Sequence, residues 1–433
     1  MLQAGAAQVD ITPKPGVWLT GYGARIEPST GVHDPLFARA LFLKSRGRRA
    51  ALVATDIIGF DDDLVARIRD RVTRTSDIHP SHLMLAATHT HAGPSVKCLD
   101  RMAPVDPAFL EQAVDCIAEA VASAARSAGS ASIGAGFATG SIGVNRRQRT
   151  AEGQTVIGQD PGGPVDRRVG VLRVDGKQGT VCVMLNHACH GVVLGDDNLL
   201  ISADWPGAAA RTMQQAAKSA VAMVTNGACG DINPAERGSF DAVERQGAEV
   251  ARAGMSIFDK IALSSEVEIE AAVRPVSLPT RAPTLEAVRD DLESYRAALE
   301  RAQQAGDARG AQVYRAMCGW AQEMVDLTSS GAKAEPVAAE VQAIAMDDIA
   351  LVGLPGEVFV EIGANIAAAS PFQHTFIIGY ANRVVGYVPT RQAFVEGGYE
   401  VDSAHGWYGF LAFTPEVQEI VEGAAVGLLK SLR

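Results

Sequence analysis

The chain has 433 residues, 47% hydrophobic and 21% charged, the composition of an ordered globular protein long enough to bury a large core. Its 39 basic and 50 acidic residues give a formal charge of −11, which argues against a phosphate-backbone binder, because such proteins concentrate positive charge. No stretch reaches the roughly 18 consecutive apolar residues that span a bilayer, so neither nucleic acid nor stable membrane insertion is expected.

The first residues, MLQAGAAQVDITPKPG, lack the basic and apolar regions of a secretion signal, which sets the expected location in the cytoplasm. The six cysteines have no CxxC spacing and read as reduced thiols. Apolar runs with β character recur at residues 50–56, 82–88, 180–186, 220–226 and 349–353. Between them lie amphipathic stretches, among them 61–73, where Leu64, Val65, Ile68 and Val72 fall at helical spacing, and 107–128. The alternation predicts an α/β fold with mixed or parallel β-sheets flanked by helices. Residues 284–330 stand apart as two charged amphipathic helices broken near Gly306 and Gly310. They read as a helical hairpin inserted into the domain, serving as a lid, a homo-oligomer contact or a solvated structural element.

Histidines mark the candidate chemistry. His89 and His91 follow the apolar run 82–88, and in an extended backbone both imidazoles project to one side. His187 and His190 follow the run 180–186, so four of nine histidines stand at two strand ends, the pattern of a metal site more than of scattered core residues. Asp56 ends a strand and Asp231 lies in a glycine-rich loop, and both are candidate functional carboxylates; Asp204 reads equally as a helix N-cap. Glu357, after Pro355-Gly356, reads as a helix cap or a metal ligand.

Taken in order, Asp10-Ile-Thr-Pro13, Leu19-Thr-Gly-Tyr22, Thr88-His-Thr-His-Ala-Gly-Pro94, Asn145-Arg146, Ala188-Cys-His-Gly191, Gly230-Asp-Ile-Asn-Pro234, Leu354-Pro-Gly-Glu357 and Gly386-Tyr-Val-Pro-Thr390 span nearly the whole chain. This series resembles the catalytic domain of the neutral/alkaline non-lysosomal ceramidases, which are zinc amidases. The resemblance implies one ceramidase-like catalytic domain over 1–433. It also implies a Zn²⁺ ligand set of His89, His190, Glu357 and Tyr387, with Glu357 then a ligand and not a cap. Tyr399, His91 and Arg146 match residues flanking the metal and the scissile carbonyl, and Asp231 and Asn233 fall in the glycine-rich motif of the site. His187 matches no ligand position and reads as a core histidine.

Two departures bear on the reaction. Asn233 stands where ceramidases carry serine, so a serine-dependent step does not transfer, although its amide can donate to an oxyanion. The chain ends at Arg433, without the C-terminal immunoglobulin-like domain of ceramidases. The expectation is therefore metal-assisted hydrolysis of an amide bond in a small, soluble N-acyl substrate. The alternatives are a zinc esterase or deacetylase on the same scaffold and a non-catalytic metal-binding homologue.

Overall fold

The computed structural model describes residues 1–433. Its largest sheet has eight strands in the order Val221–Asn226, Gly179–His187, Arg168–Gly176, Gly129–Thr139, Gln3–Asp10, Phe37–Ser45, Arg48–Thr55, Leu83–Ala87. Only its two flanking pairs are parallel, Gly179–His187 with Val221–Asn226 and Arg48–Thr55 with Leu83–Ala87. The remaining pairs are antiparallel, so the sheet is mixed. One reason is visible between Phe37–Ser45 and Arg48–Thr55, where Arg46 and Gly47 both take positive φ (48° and 82°) and close a two-residue hairpin matched to strand twist. The parallel pairs need longer crossovers, which the helices Asp62–Ser76 and Asp204–Ala217 supply.

A second sheet runs Ile269–Leu278, Val337–Met346, Ile349–Gly353, His374–Ile378 and lies against the first. Alternation along the strands divides the core. Leu41, Leu43, Leu52, Met84 and Met184 face Ile344, Ile349, Leu351 and Phe376 between the sheets. Their neighbours Ala40, Phe42, Val53 and Leu85 face the helices Asp62–Ser76 and Pro107–Arg126 on the other side. Val171, Val183, Leu185 and Val224 face Asp204–Ala217 and Phe240–Phe258. The outer face of the second sheet is covered by Val360–Ala369 and Val417–Ser431. The result is four layers, helix–sheet–sheet–helix, and it accounts for runs such as 83–87 in which every residue is buried.

Capping fixes where the outer helices begin. The Asp61 side chain accepts from the Leu64 amide at 3.0 Å, and Asp106 accepts from Ala108 with Pro107 in the first turn. Residues Leu285–Gln304 and Ala308–Ser329 form two helices packed side by side, capped by Thr284 and Asp307. Gly306 lies between them at φ +70°. No helix is long and apolar enough to cross a membrane, and the six cysteines are unpaired.

Phe376 is fully buried between the sheets, 5.0 Å from the Phe137 ring. Phe376→Ala is expected to lower stability by about 3–5 kcal/mol through lost burial and an unfilled cavity. Urea unfolding checks this as a lower midpoint at unchanged slope.

Candidate metal centre and active site

The carboxyl ends of the strands Leu83–Ala87, Gly179–His187, Val221–Asn226, Ile349–Gly353 and His374–Ile378 feed loops that meet at one place, the usual position of a site in a parallel-strand region. His89 is at φ +55°, so the backbone there is left-handed and the strand-like alternation expected for His89 and His91 does not hold. The two imidazoles converge for a tertiary reason. Thr90 bridges to Gly191, and the His91 amide donates to the Gly191 carbonyl at 3.1 Å, which pins the first histidine loop against the second. One donor nitrogen from each of His89, His91 and His190 then lies within 4.8 Å of the others.

Backbone carbonyls set the imidazole tautomers. His89 Nδ1 donates to the Ile58 carbonyl and His190 Nδ1 to the Cys229 carbonyl, both at 2.6 Å. A carbonyl can only accept, so each Nδ1 carries a proton and each Nε2 turns into the site. There His190 Nε2 stands 2.7 Å from Glu357 Oε2, and His89 Nε2 stands 3.5 Å from the same oxygen. These are acceptors facing an anionic acceptor, a contact that needs a positive charge between them. A proton on His190 is disfavoured, because burial pushes its imidazole down to about 4 despite the Glu357 contact. Burial works against the charge on Glu357, but its contacts with His89 and His190 outweigh burial and hold the carboxyl below the ordinary range, so it stands as a carboxylate. His89 Nε2 and both nitrogens of His91 are buried without hydrogen-bond partners. Neutral imidazoles around a carboxylate, with lone pairs free and protons committed outward, fit a divalent transition metal.

The surrounding shell is built to hold these groups. Tyr408 donates to Glu357 Oε1, the oxygen turned away from the imidazoles. Tyr380, at φ +52°, stacks on His89 with ring centroids 3.9 Å apart, and its hydroxyl lies 3.4 Å from His190 Nε2. Trp205 Nε1 donates to the His190 carbonyl at 2.8 Å. Backbone approach is equally tight: a Cβ on Gly230 would lie 2.3 Å from the Glu357 carbonyl oxygen, and one on Gly21 would lie 2.4 Å from the His91 ring.

The other residues singled out from sequence separate into two groups. Tyr387 lies directly opposite Glu357 in a short parallel pair, with the Arg146 guanidinium 5.2 Å from its ring centre and Tyr399 5.8 Å away. Arg146 is anchored by Glu400 at 2.8 Å and donates to Asn233 Oδ1 at 3.4 Å, which leaves the Asn233 NH₂ free and Arg146 Nη2 buried without a partner. The remaining group is spent on structure. Asp231 accepts from Val360 N and Asn145 Nδ2, both at 2.9 Å, so it ties the Arg146 strand to the helix Val360–Ala369. Asp56 is paired with Arg39 at 2.6 Å, and Asp204 collects the amides of Val193, Leu194 and Trp205 as the first residue of its helix. His187 is a core histidine bonded to the Arg168 carbonyl at 3.0 Å.

Tyr408, Tyr380 and Glu400 escaped the sequence reading, since each acts through a partner far away in the chain. One signal was present: four of the seven tyrosines, Tyr380, Tyr387, Tyr399 and Tyr408, fall within 29 residues.

The loops around His89, His91 and His190 thus enclose a group that could hold a metal ion, beside an arginine and two tyrosines. The sequence profile of the neutral/alkaline non-lysosomal ceramidase N-terminal region matches residues 2–253, and the chain belongs to that family. The fold is similar to the crystal structure of neutral ceramidase from Pseudomonas aeruginosa, with TM-score 0.75 at 19% identity over 100% of this chain and 74% of that one. It is similar also to a ceramidase complexed with C2, with TM-score 0.77 at 19% identity over 100% and 75%. No curated sequence matches. Family and fold together support a hydrolase acting on amide bonds.

Gly230→Ala is expected to push the Glu357 backbone away from the histidines, because the new methyl meets a carbonyl oxygen that has no flexible retreat. The expected outcome is a loss of about 1–3 kcal/mol in stability, with weakened metal retention, read by thermal unfolding and elemental analysis.

Proposed function

We propose that the chain is a zinc-dependent hydrolase that cleaves the amide bond of N-acyl substrates. The observation that carries this reading is the contact of His190 Nε2 with Glu357 Oε2 at 2.7 Å while both Nδ1 protons point outward, a pair of acceptors that a cation reconciles. His89, His190 and Glu357 would hold the zinc, with Tyr387, opposite Glu357, as a phenolic fourth ligand. A bound zinc supplies Lewis-acid polarisation of a carbonyl and activation of water at neutral pH.

The chain's own residues supply the remainder. Arg146 is held by Glu400 and keeps an unpaired buried Nη2, and Asn233 keeps its NH₂ free, so both can donate to the carbonyl oxygen as it gains negative charge. Burial raises the Tyr399 hydroxyl above its usual range and keeps it a neutral donor on the same side. Burial lowers His91 well below 6.5, which makes it neutral, with a nitrogen free to take a proton from the attacking water and pass it to the leaving amine. Asn233 cannot act as a nucleophile, because an amide has no ionisable proton in the useful range.

A second reading follows from His91, whose nitrogen belongs to the same 4.8 Å group as those of His89 and His190: it is then a third imidazole ligand and not the proton carrier. His91→Ala decides between the two. Retained zinc with activity lost supports the proton role, and loss of zinc supports ligation.

Elemental analysis is expected to find about one zinc per chain, and Glu357→Gln to weaken its retention without unfolding the protein. A panel of N-acyl amino acids, N-acyl amino sugars, ceramides and simple esters assigns the substrate, with amides expected to turn over faster than esters.

Asn233→Ala is expected to lower kcat by roughly 10²-fold to 10³-fold, the usual cost of one oxyanion donor, with zinc content unchanged. An acyl group trapped on a side chain during turnover would contradict direct attack by water.

A further inference from the structure

The inserted hairpin does not merely lie on the surface. On its second helix, Trp320 is buried, and its ring meets His405 edge-on with centroids 5.2 Å apart. A Cβ on Gly406 would lie 3.2–3.4 Å from the Trp320 ring, so the glycine lets the indole lie against the backbone of the short helix His405–Tyr408. One turn along, Glu323 forms a bidentate pair with Arg101. The Arg101 guanidinium in turn lies 3.5 Å from where a Gly409 Cβ would be, and Gly409 ends the short helix at φ +70°. Met317 joins Trp407 in the same apolar cluster. The short helix is therefore gripped at its first turn, its middle and its end by the hairpin or by the hairpin's ion-pair partner.

What that helix carries is Tyr408, whose hydroxyl donates to Glu357 Oε1 and so fixes the rotation of the carboxylate that faces both imidazoles. Trp320 Nε1 makes no hydrogen bond, so the indole contributes packing alone. We propose that Trp320 is a positioning residue for the metal centre: it holds His405–Tyr408 in place so that Tyr408 orients Glu357. This rests on the zinc-site reading above, and it assigns the hairpin a role in setting that site. Outer partners of this kind orient a ligand in advance, and their loss typically weakens metal binding 10–100-fold.

The test is the zinc dissociation constant, measured by chelator competition on the full chain, for Trp320→Ala, Trp320→Phe, Tyr408→Phe and the double variant Trp320→Ala/Tyr408→Phe. Trp320→Ala is expected to raise the constant roughly tenfold, and Trp320→Phe, which keeps a ring against Gly406, to restore it. In the Tyr408→Phe background Trp320→Ala is expected to add nothing, because the hydroxyl through which it acts is already gone. A merely structural tryptophan would lower the melting temperature equally in both backgrounds without this dependence. Wild-type zinc affinity in folded Trp320→Ala, or full additivity in the double variant, overturns the proposal while leaving the zinc site standing. A wild-type protein that binds no zinc overturns the site reading itself. If Trp320→Ala does not fold, Trp320→Leu, which preserves most of the volume, is judged by the same constants.

Discussion

Two acceptors held 2.7 Å apart organise this molecule. Glu357 Oε2 and His190 Nε2 would repel if nothing positive lay between them, and burial removes the water that could soften the repulsion. The protein commits both neighbouring Nδ1 protons to main-chain carbonyls, Ile58 for His89 and Cys229 for His190. That choice converts two ordinary histidines into lone pairs aimed inward. Nearly every unusual feature nearby serves it: left-handed backbone at His89 and Tyr380, a glycine at 230 where the chain passes against Glu357, and a tyrosine on the far oxygen of the carboxylate.

The four-layer fold supplies the rigidity this requires. Glu357 follows the second-sheet strand Ile349–Gly353 by four residues and pairs with Tyr387, while His89 and His190 come from loops at opposite halves of the first sheet. Packing of Leu351 and Phe376 against Met84 and Met184 therefore sets the separation between carboxylate and imidazoles. Asp231, buried and fully bonded, performs the same service between the Arg146 strand and the helix Val360–Ala369. Both of its carboxylate oxygens are used in registering these two elements.

Around this centre the donors divide by charge. Glu400 neutralises and aims Arg146, and the spare Nη2 and the Asn233 amide are left as the polar groups available to a substrate oxygen. An asparagine beside an arginine provides hydrogen-bond donors and no ionisable nucleophile. The hairpin adds a second constraint from outside, reaching the carboxylate through the short helix His405–Tyr408, whose Trp407 is also buried in the main core.

The sequence by itself determined the alternation of buried strands and amphipathic helices, the hairpin's two helices and the family, because local periodicity and short motifs record these directly, while the ligand set His89, His190, Glu357 and Tyr387 came only as what the family resemblance implies. It misjudged the backbone geometry of His89, did not foresee the partners of Asp231, and missed Tyr408, Tyr380 and Glu400. Whether a carboxylate faces a metal or a backbone amide depends on partners tens to hundreds of residues away, as Asp231 with Val360 and Tyr408 with Glu357 make plain. Which ring nitrogen carries the proton likewise depends on carbonyls that only folding brings alongside. Those choices belong to tertiary structure because a hydrogen bond is set by direction and distance in space, and residue order along the chain encodes neither.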